Sequence, residues 1–318
     1  VKNMNTLAQS SRKPKAFIHN IIRYKFLYLL ILPTIVLFLI FNYFPMYGVV
    51  IAFQDYKPHL GVEGMFSKAT WVGLKQFKNF ISSFYFKRLM INTVRISLLK
   101  ILFGFPAPII LALFLNEIRN LKFKKIVQTV SYLPHFLSWV ILSGIITSLL
   151  SPANGTINQF IIALGGQPVD FLTNNDYFIW VLVFSSVWQG VGWSSIIYLA
   201  TLSGIDPQLY ESSVIDGATR FQQILYISLP SLYNLMSILL IMSMGGILNA
   251  GFEQVLMLYS PLVFETGDII DTFVYRSGIQ ELKYSYSSAV GLFKTAIGFT
   301  LLIITNFFAG KMGRETLF

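Results

Sequence analysis

Apolar residues in this chain fall in long blocks separated by short polar connections. A helix needs roughly 20 apolar residues to cross a bilayer. Six stretches meet that length, at about 26–53, 90–115, 126–150, 177–200, 231–257 and 287–309. The first contains Pro33, Pro45 and Gly48, which predicts a kink or an early exit near Pro45. Between the first two blocks, GLKQFKNFISSF sets Leu74, Phe77, Phe80, Ile81 and Phe84 at helical spacing. That spacing describes an amphipathic helix lying on the bilayer or capping the bundle. Between the fourth and fifth blocks lies a polar interruption, Glu211–Pro230. Asp206 followed by Pro207 reads as a helix N-cap with proline at the first helical position. Asp216-Gly217 reads as the stop, because glycine accepts the left-handed conformation that ends a helix. A second short helix follows from about Ala218, with Phe221, Ile224, Leu225 and Leu229 as its apolar stripe, and Pro230 marks the start of the next span.

Composition agrees with the pattern. The chain of 318 residues is 54% hydrophobic and 12% charged, with a mean hydropathy of +0.63; soluble domains carry about 25% charged residues. The absence of cysteine removes disulfides, thiolate catalysis and cysteine-ligated zinc. His19, His59 and His135 stand far apart, at no metal-ligand spacing. The net charge of +10 fits basic cytoplasmic loops of a membrane protein and not a nucleic-acid partner. Lys2, Arg12, Lys13, Lys15, Arg23 and Lys25 run into an apolar block too long for a signal-peptide core, with no small-residue cleavage site after it, so the first span is expected to remain. NEIRNLKFKK, Asn116 to Lys125, carries four basic residues against Glu117, whereas Ser151 to Asp176 has acids and no base. Both termini and Glu211–Pro230 are therefore expected in the cytoplasm. One loop resists the rule: Gln54 to Arg88 should be outside, yet holds Lys57, Lys68, Lys75, Lys78, Lys87 and Arg88 against Asp55 and Glu63. The last outside connection, Tyr259 to Tyr286, carries Glu265, Asp268, Asp271 and Glu281, and the tail KMGRETLF returns a weak positive charge to the cytoplasm.

Catalysis finds no support. No span holds a close carboxylate pair, no histidine lies near a nucleophile, and no glycine-rich phosphate loop occurs. If transport here is driven by ATP, another subunit hydrolyses it. ESSVIDGATRFQQILYISLP resembles the EAA loop of membrane subunits of type I ABC importers, with Glu211, Asp216, Gly217, Ala218, Ile227, Leu229 and Pro230 at matching places. Ser212 and Ser213 stand where that family usually has alanines, and Ile224 where phenylalanine is common. NYFPMYGVVIAFQDYKP (Asn42 to Pro58), WVGLKQFKNF (Trp71 to Phe80) and INTVRISLLK (Ile91 to Lys100) resemble the carbohydrate-uptake branch, especially permeases for complex oligosaccharides and polysaccharides such as alginate or pectin fragments.

The resemblance implies a six-helix, MetI-like transmembrane domain with cytoplasmic coupling helices in a bacterial cell membrane. It implies as partners a second homologous permease subunit, a dimer of ATPase subunits holding ATP and Mg, an extracytoplasmic solute-binding protein and an oligosaccharide. The chain itself is expected to bind no cofactor and no metal. Its organisation reads as a basic segment 1–25, a first span and outer loop 26–89, a core 90–310 containing the EAA loop at 203–230, and a tail 311–318. Coupling to the ATPase falls to Glu211, Asp216, Gly217, Ala218 and Arg220. For Glu211 and Arg220 the plainer alternative is solvated loop charge.

Substrate-path candidates come from residue chemistry. Arg95, Lys100 and Lys294 are charges inside predicted spans, where facing lipid is expensive, so they face protein or a watery path, or else snorkel from a helix end. They would suit an acidic sugar. Trp188, Gln189 and Trp193 in span four, and Asn249 and Glu253 in span five, offer stacking surfaces and hydroxyl partners for a saccharide; tryptophan in a membrane helix also serves packing or the interface. The rival reading is a secondary sugar transporter driven by an ion gradient, which needs intramembrane acids or broken helices; no internal repeat of the kind such carriers show is visible.

Overall fold

The structure is a computed structural model describing residues 23–64 and 69–311. Lys2, Arg12, Lys13, Lys15, His19, Lys68 and Met312–Phe318 lie outside the described residues. The chain divides into two units, Val1–Ile51 and Ala52–Phe318.

The first unit is dominated by helix α1, Lys25–Phe53, none of whose residues up to Met46 is buried. Apolar on all sides, it has the surface of a membrane span. Pro33 is accommodated within it. Ahead of Pro45 the helix widens into a π turn at Leu39–Tyr43, and after it tightens into a 3₁₀ stretch at Tyr47–Phe53. Proline has no N–H to donate, and its ring crowds the carbonyl four residues back, so the ladder loosens there. The expected exit near Pro45 is thus a change of helical winding, and the helix continues to Phe53.

The second unit opens with a two-residue antiparallel pairing, β1 Gln54–Asp55 against β2 Thr70–Trp71. Helix α2, Lys75–Ile81, is the predicted amphipathic element, and it caps the bundle. Its Phe80 is wholly buried against Phe86, Phe273, Tyr286 and Phe293, while Leu74, Ile81 and Phe84 stay exposed. Helix α3, Phe84–Glu117, runs the length of a bilayer with a single turn at Phe105 ahead of Pro106 and Pro108.

The third predicted span, 126–150, is not one helix. Helix α4, Leu121–Phe136, and α5, Trp139–Leu150, meet at 107°. Pro134 drives the end of α4 into a 3₁₀ turn, and Ser138 caps the new helix by accepting from the Ile141 N–H. Helix α6, Thr156–Ala163, follows. Helix α7, Asn175–Ser203, is the central post; it starts at an Asn174 cap and packs along α3. Its Gly192 touches the Ser131–Tyr132 backbone so closely that any side chain there would strike it.

Helices α8, Pro207–Ile215, and α9, Arg220–Ser231, form the predicted hairpin; α9 begins two residues later than its sequence indicates because Thr219 serves as its cap. Helix α10, Tyr233–Gly245, leaves α9 at 57°. The fifth predicted span, 231–257, also proves discontinuous: the chain unwinds over 246–251 and resumes as α11, Phe252–Leu258, after Gly251 takes φ +85°. Helix α12, Ile270–Tyr275, and the long α13, Tyr284–Lys311, complete the unit. Among the described residues four helices are long and apolar enough to cross a membrane, or six if each bent pair counts as one span. The main core gathers Ile96, Leu142, Phe178, Leu182, Val183 and Val255 around α7, and a second cluster under α2 gathers Phe80, Leu89, Ile270, Phe273 and Val290.

Candidate functional site

The break between α10 and α11 opens a cavity of about 510 Å³ bounded also by α3 and α7. Ser97, Lys100, Gln189, Ser194, Asn249 and Gln254 give it polar walls, and among the described residues Lys100 is the one charged residue lining it. At about 1.5 Å per residue, Lys100 lies roughly 25 Å from either end of α3, midway along a helix long and apolar enough to cross a membrane. A chain that unwinds there frees backbone carbonyls that only protein or water can satisfy. Lys100 supplies the partner: its Nζ donates to the Ala250 carbonyl at 2.7 Å and also to Gln254 Oε1. The Gln254 amide nitrogen in turn donates to Leu182 O at 2.8 Å and Ser185 Oγ at 2.7 Å, tying α11 to α7. Gly251 permits the approach, since a side chain there would meet the Lys100 ammonium.

Three sequence candidates, Lys100, Gln189 and Asn249, therefore share one cavity. Lys294 stands behind it: its Nζ donates to Asn249 Oδ1 at 2.7 Å and to both Asp271 carboxylate oxygens at 2.7 Å. The other four lie elsewhere. Trp188 faces an apolar cavity of about 530 Å³ with Trp180 and Phe184, because adjacent helical positions point about 100° apart and Gln189 takes the polar side. Trp193 stacks on His135 at a centroid distance of 4.7 Å, bracing the α4–α5 corner. Arg95 is exposed on an apolar groove beside Leu98 and Trp180. Glu253 is exposed, and its neighbour Gln254 takes the inward position. Gln254, Ser97 and Gly251 were not singled out by sequence reasoning; the Gly-x-x-Gln run within a hydrophobic block was the available signal.

The α8–α9 hairpin is held by its own hydrogen bonds. Asp206 accepts from the Gln208 N–H at 3.0 Å. Gly217, at φ +78°, closes α8 with paired bonds from Ala218 N to Ser213 O and from Gly217 N to Val214 O, the arrangement that satisfies a helix's last carbonyls. Thr219 and Gln222 cap α9 reciprocally. The Gln223 amide donates to Ser213 Oγ at 2.8 Å, and Tyr210 and Ser228 share a bond of 2.9 Å, so the two helices are locked together. Outward stand Glu211, Asp216, Gly217 and Arg220, all exposed, with Ala218 half-buried beside them. Val214, Ile215 and Phe221 are exposed in the same hairpin.

A helical membrane bundle with a broken helix at a central polar cavity, and a rigid polar hairpin at one end, defines a subunit of a membrane transporter. The chain belongs to the family of binding-protein-dependent transport system inner membrane components, whose pattern matches residues 104–314; it is an ABC transporter permease of the MetI-like fold. It is similar to the polygalacturonan/rhamnogalacturonan transport system permease protein YteP of Bacillus subtilis (strain 168), with 43% identity over 306 residues, 96% of this chain and 94% of that protein. Protein LplB of the same organism is 44% identical over 296 residues, 93% of this chain and 92% of that one. A solved bacterial ABC transporter involved in the import of the acidic polysaccharide alginate contains a chain that matches with a TM-score of 0.84 and 39% identity, covering 93% of this chain and 98% of that one. The bacterial alginate transporter solved in complex with an alginate pentasaccharide-bound periplasmic protein matches with a TM-score of 0.84 at 37% identity, covering 94% of this chain and 99% of that one.

Proposed function

We propose that this chain is the transmembrane permease subunit of an ATP-driven importer of acidic oligosaccharides, of the kind released from pectin or alginate. The observation that carries the reading is the cavity at the α10–α11 break, whose one charged wall residue among those described is Lys100, beside the amides Gln189, Asn249 and Gln254. Amides suit sugar hydroxyls, and a lysine suits a uronate carboxylate. The named substrates of similar proteins, polygalacturonan, rhamnogalacturonan and alginate, support the acidic class.

The chain works with a second permease subunit, a dimer of ATPase subunits that holds ATP and Mg, and an extracytoplasmic solute-binding protein. Both termini and the α8–α9 hairpin face the cytoplasm. There the hairpin docks on the ATPase through Glu211, Asp216, Gly217, Ala218 and Arg220. Because the hairpin is internally locked, closure of the ATPase dimer moves it as one body and shifts the attached helices between inward- and outward-open states. The chain itself binds no nucleotide.

The test is uptake into proteoliposomes holding the complete transporter and its binding protein. Oligogalacturonides should enter and stimulate ATP hydrolysis, whereas their methyl esters should do so far less. Equal handling of both would remove the acidic preference. Uptake driven by an ion gradient without ATP would restore the secondary-transporter reading.

A further inference from the structure

A second cavity, about 690 Å³, lies at the end of the second unit where α3 and α13 begin. On the orientation proposed above, that end is extracytoplasmic. The pair Arg88 and Arg276 gives the cavity its character. Asp268, with no exposed surface, accepts from the Arg276 guanidinium at 2.6 and 3.3 Å and from the Thr272 hydroxyl at 2.9 Å. Its loop is pinned to α3 because the Asn92 amide donates to the Asp268 carbonyl at 3.1 Å. Burial works against the Arg276 charge, but the bond and charge of Asp268 outweigh it, so its pKa stands above the usual value and it remains a cation.

One carboxylate thus serves two guanidinium groups. Arg88 approaches Asp268 only to 3.7 Å, and its Nε is buried with no hydrogen-bond partner. The enclosed Nε is out of an occupant's reach, but the Arg88 side chain is 29% exposed and lines the cavity, so its terminal N–H groups keep donors to offer an acceptor there. At the rim, Lys283 is paired with Glu281 at 2.7 Å, and Lys57 stands exposed near Asp55. Among the described residues the net unmet charge is therefore positive and centred on Arg88. The remaining walls include the tyrosine rings of Tyr56, Tyr85 and Tyr286 and the side-chain amides of Gln76 and Asn79. Tyrosine faces, amides and a guanidinium with spare donors form a set that recognises an anionic saccharide. The volume falls in the usual range for a small-ligand pocket, about 300–1,000 Å³. One wall residue, Leu282, holds φ +58°, a strained conformation for a leucine.

We infer that this outer cavity is a separate saccharide subsite, which receives the uronate end of an acidic oligosaccharide before it reaches the cavity at the α10–α11 break. The inference rests on the acidic-sugar reading of the transporter. A concave pocket of this size suits a sugar ring better than the flat face of a docking protein, so the docking role is the competing outcome.

The experiment titrates trigalacturonate, and separately its trimethyl ester, into the complete transporter in lipid nanodiscs without binding protein, with bound sugar read by saturation-transfer NMR. Arg88→Gln should weaken trigalacturonate binding by about tenfold or more, the value of a charge-assisted hydrogen bond, and leave the ester unchanged. Lys57→Glu, at an exposed side chain whose replacement does not disturb folding, should weaken it by a smaller factor. Identical titrations for wild type and both variants would overturn the subsite. So would a signal lost in Lys100→Met but kept in Arg88→Gln, which belongs to the cavity at the α10–α11 break. Weaker capture of sugar-free binding protein by Arg88→Gln, with unchanged sugar titration, would reassign the cavity to protein docking. Failure of trigalacturonate to stimulate ATP hydrolysis in the wild-type complex supplied with its binding protein removes the acidic-sugar reading and the subsite together. Stimulation with unaltered Arg88→Gln binding removes the subsite alone.

Discussion

Lys100 illustrates how a charge midway along a span-length helix becomes structural without ceasing to be chemical. It satisfies the Ala250 carbonyl and the Gln254 amide oxygen, so Lys100→Met would leave two buried acceptors unpaired, at about 1–3 kcal/mol each. The variant should reach the membrane, unfold at lower temperature in detergent and lose transport, which a thermal-shift assay and an uptake assay together would report. Lys294 and Asp271 make a different case, because their charges cancel in a partly buried pair. Removing either partner strands the other charge, while removing both does not. The double variant Asp271→Asn with Lys294→Met should therefore be more stable than either single variant, as a double-mutant cycle on melting temperature would show. Sequence alone could flag Lys100 and Lys294 as costly charges, but it could not supply their partners. Ala250 lies 150 positions from Lys100 and Asp271 lies 23 from Lys294, separations over which no helical periodicity carries information.

At the scale of elements, two of the π turns obey one rule. Leu39–Tyr43 precedes Pro45, and Ile224–Ser228 precedes Pro230, each ending two residues before the proline. The sequence announces a disturbance at those prolines; the wide turn ahead of each follows from the missing N–H and the displaced carbonyl, and after Pro230 the chain also bends by 57° into α10. Hydropathy made the apolar blocks visible because it sums over a window, and for the same reason it ran across the breaks after Phe136 and Gly245. The α8–α9 hairpin was legible almost to the residue, since caps and left-handed glycines are local signals. Gly217 tests that reading. Nothing lies within 4 Å of the position a side chain would take, so the penalty for substitution is backbone strain and not collision. Gly217→Val should abolish uptake at normal membrane levels, whereas Gly217→Asn, which tolerates the left-handed conformation, should retain most of it.

Across the second unit, polar features occur at three levels: the outer cavity at the start of α3 and α13, the broken-helix cavity midway, and the hairpin at the far end. Helix α13 passes the first two in succession, contributing Tyr286 to the outer cavity and Lys294 to the network behind Asn249. The sequence showed the third level clearly, the second in fragments and the first hardly at all, because the outer cavity is assembled from four separate segments. The hairpin has a thermodynamic consequence of its own. Its polar backbone ends are already satisfied internally, and beside the exposed Glu211, Asp216 and Arg220 it offers a partner the apolar side chains of Ile215 and Phe221, 86% and 72% exposed. Burying those two apolar side chains would release water on association. On the coupling proposed above, attachment of the ATPase should show a negative heat-capacity change and persist in 1 M salt, where the Debye length shrinks to about 3 Å and any steering by Glu211 or Arg220 is screened; calorimetry across a temperature and salt series would measure both.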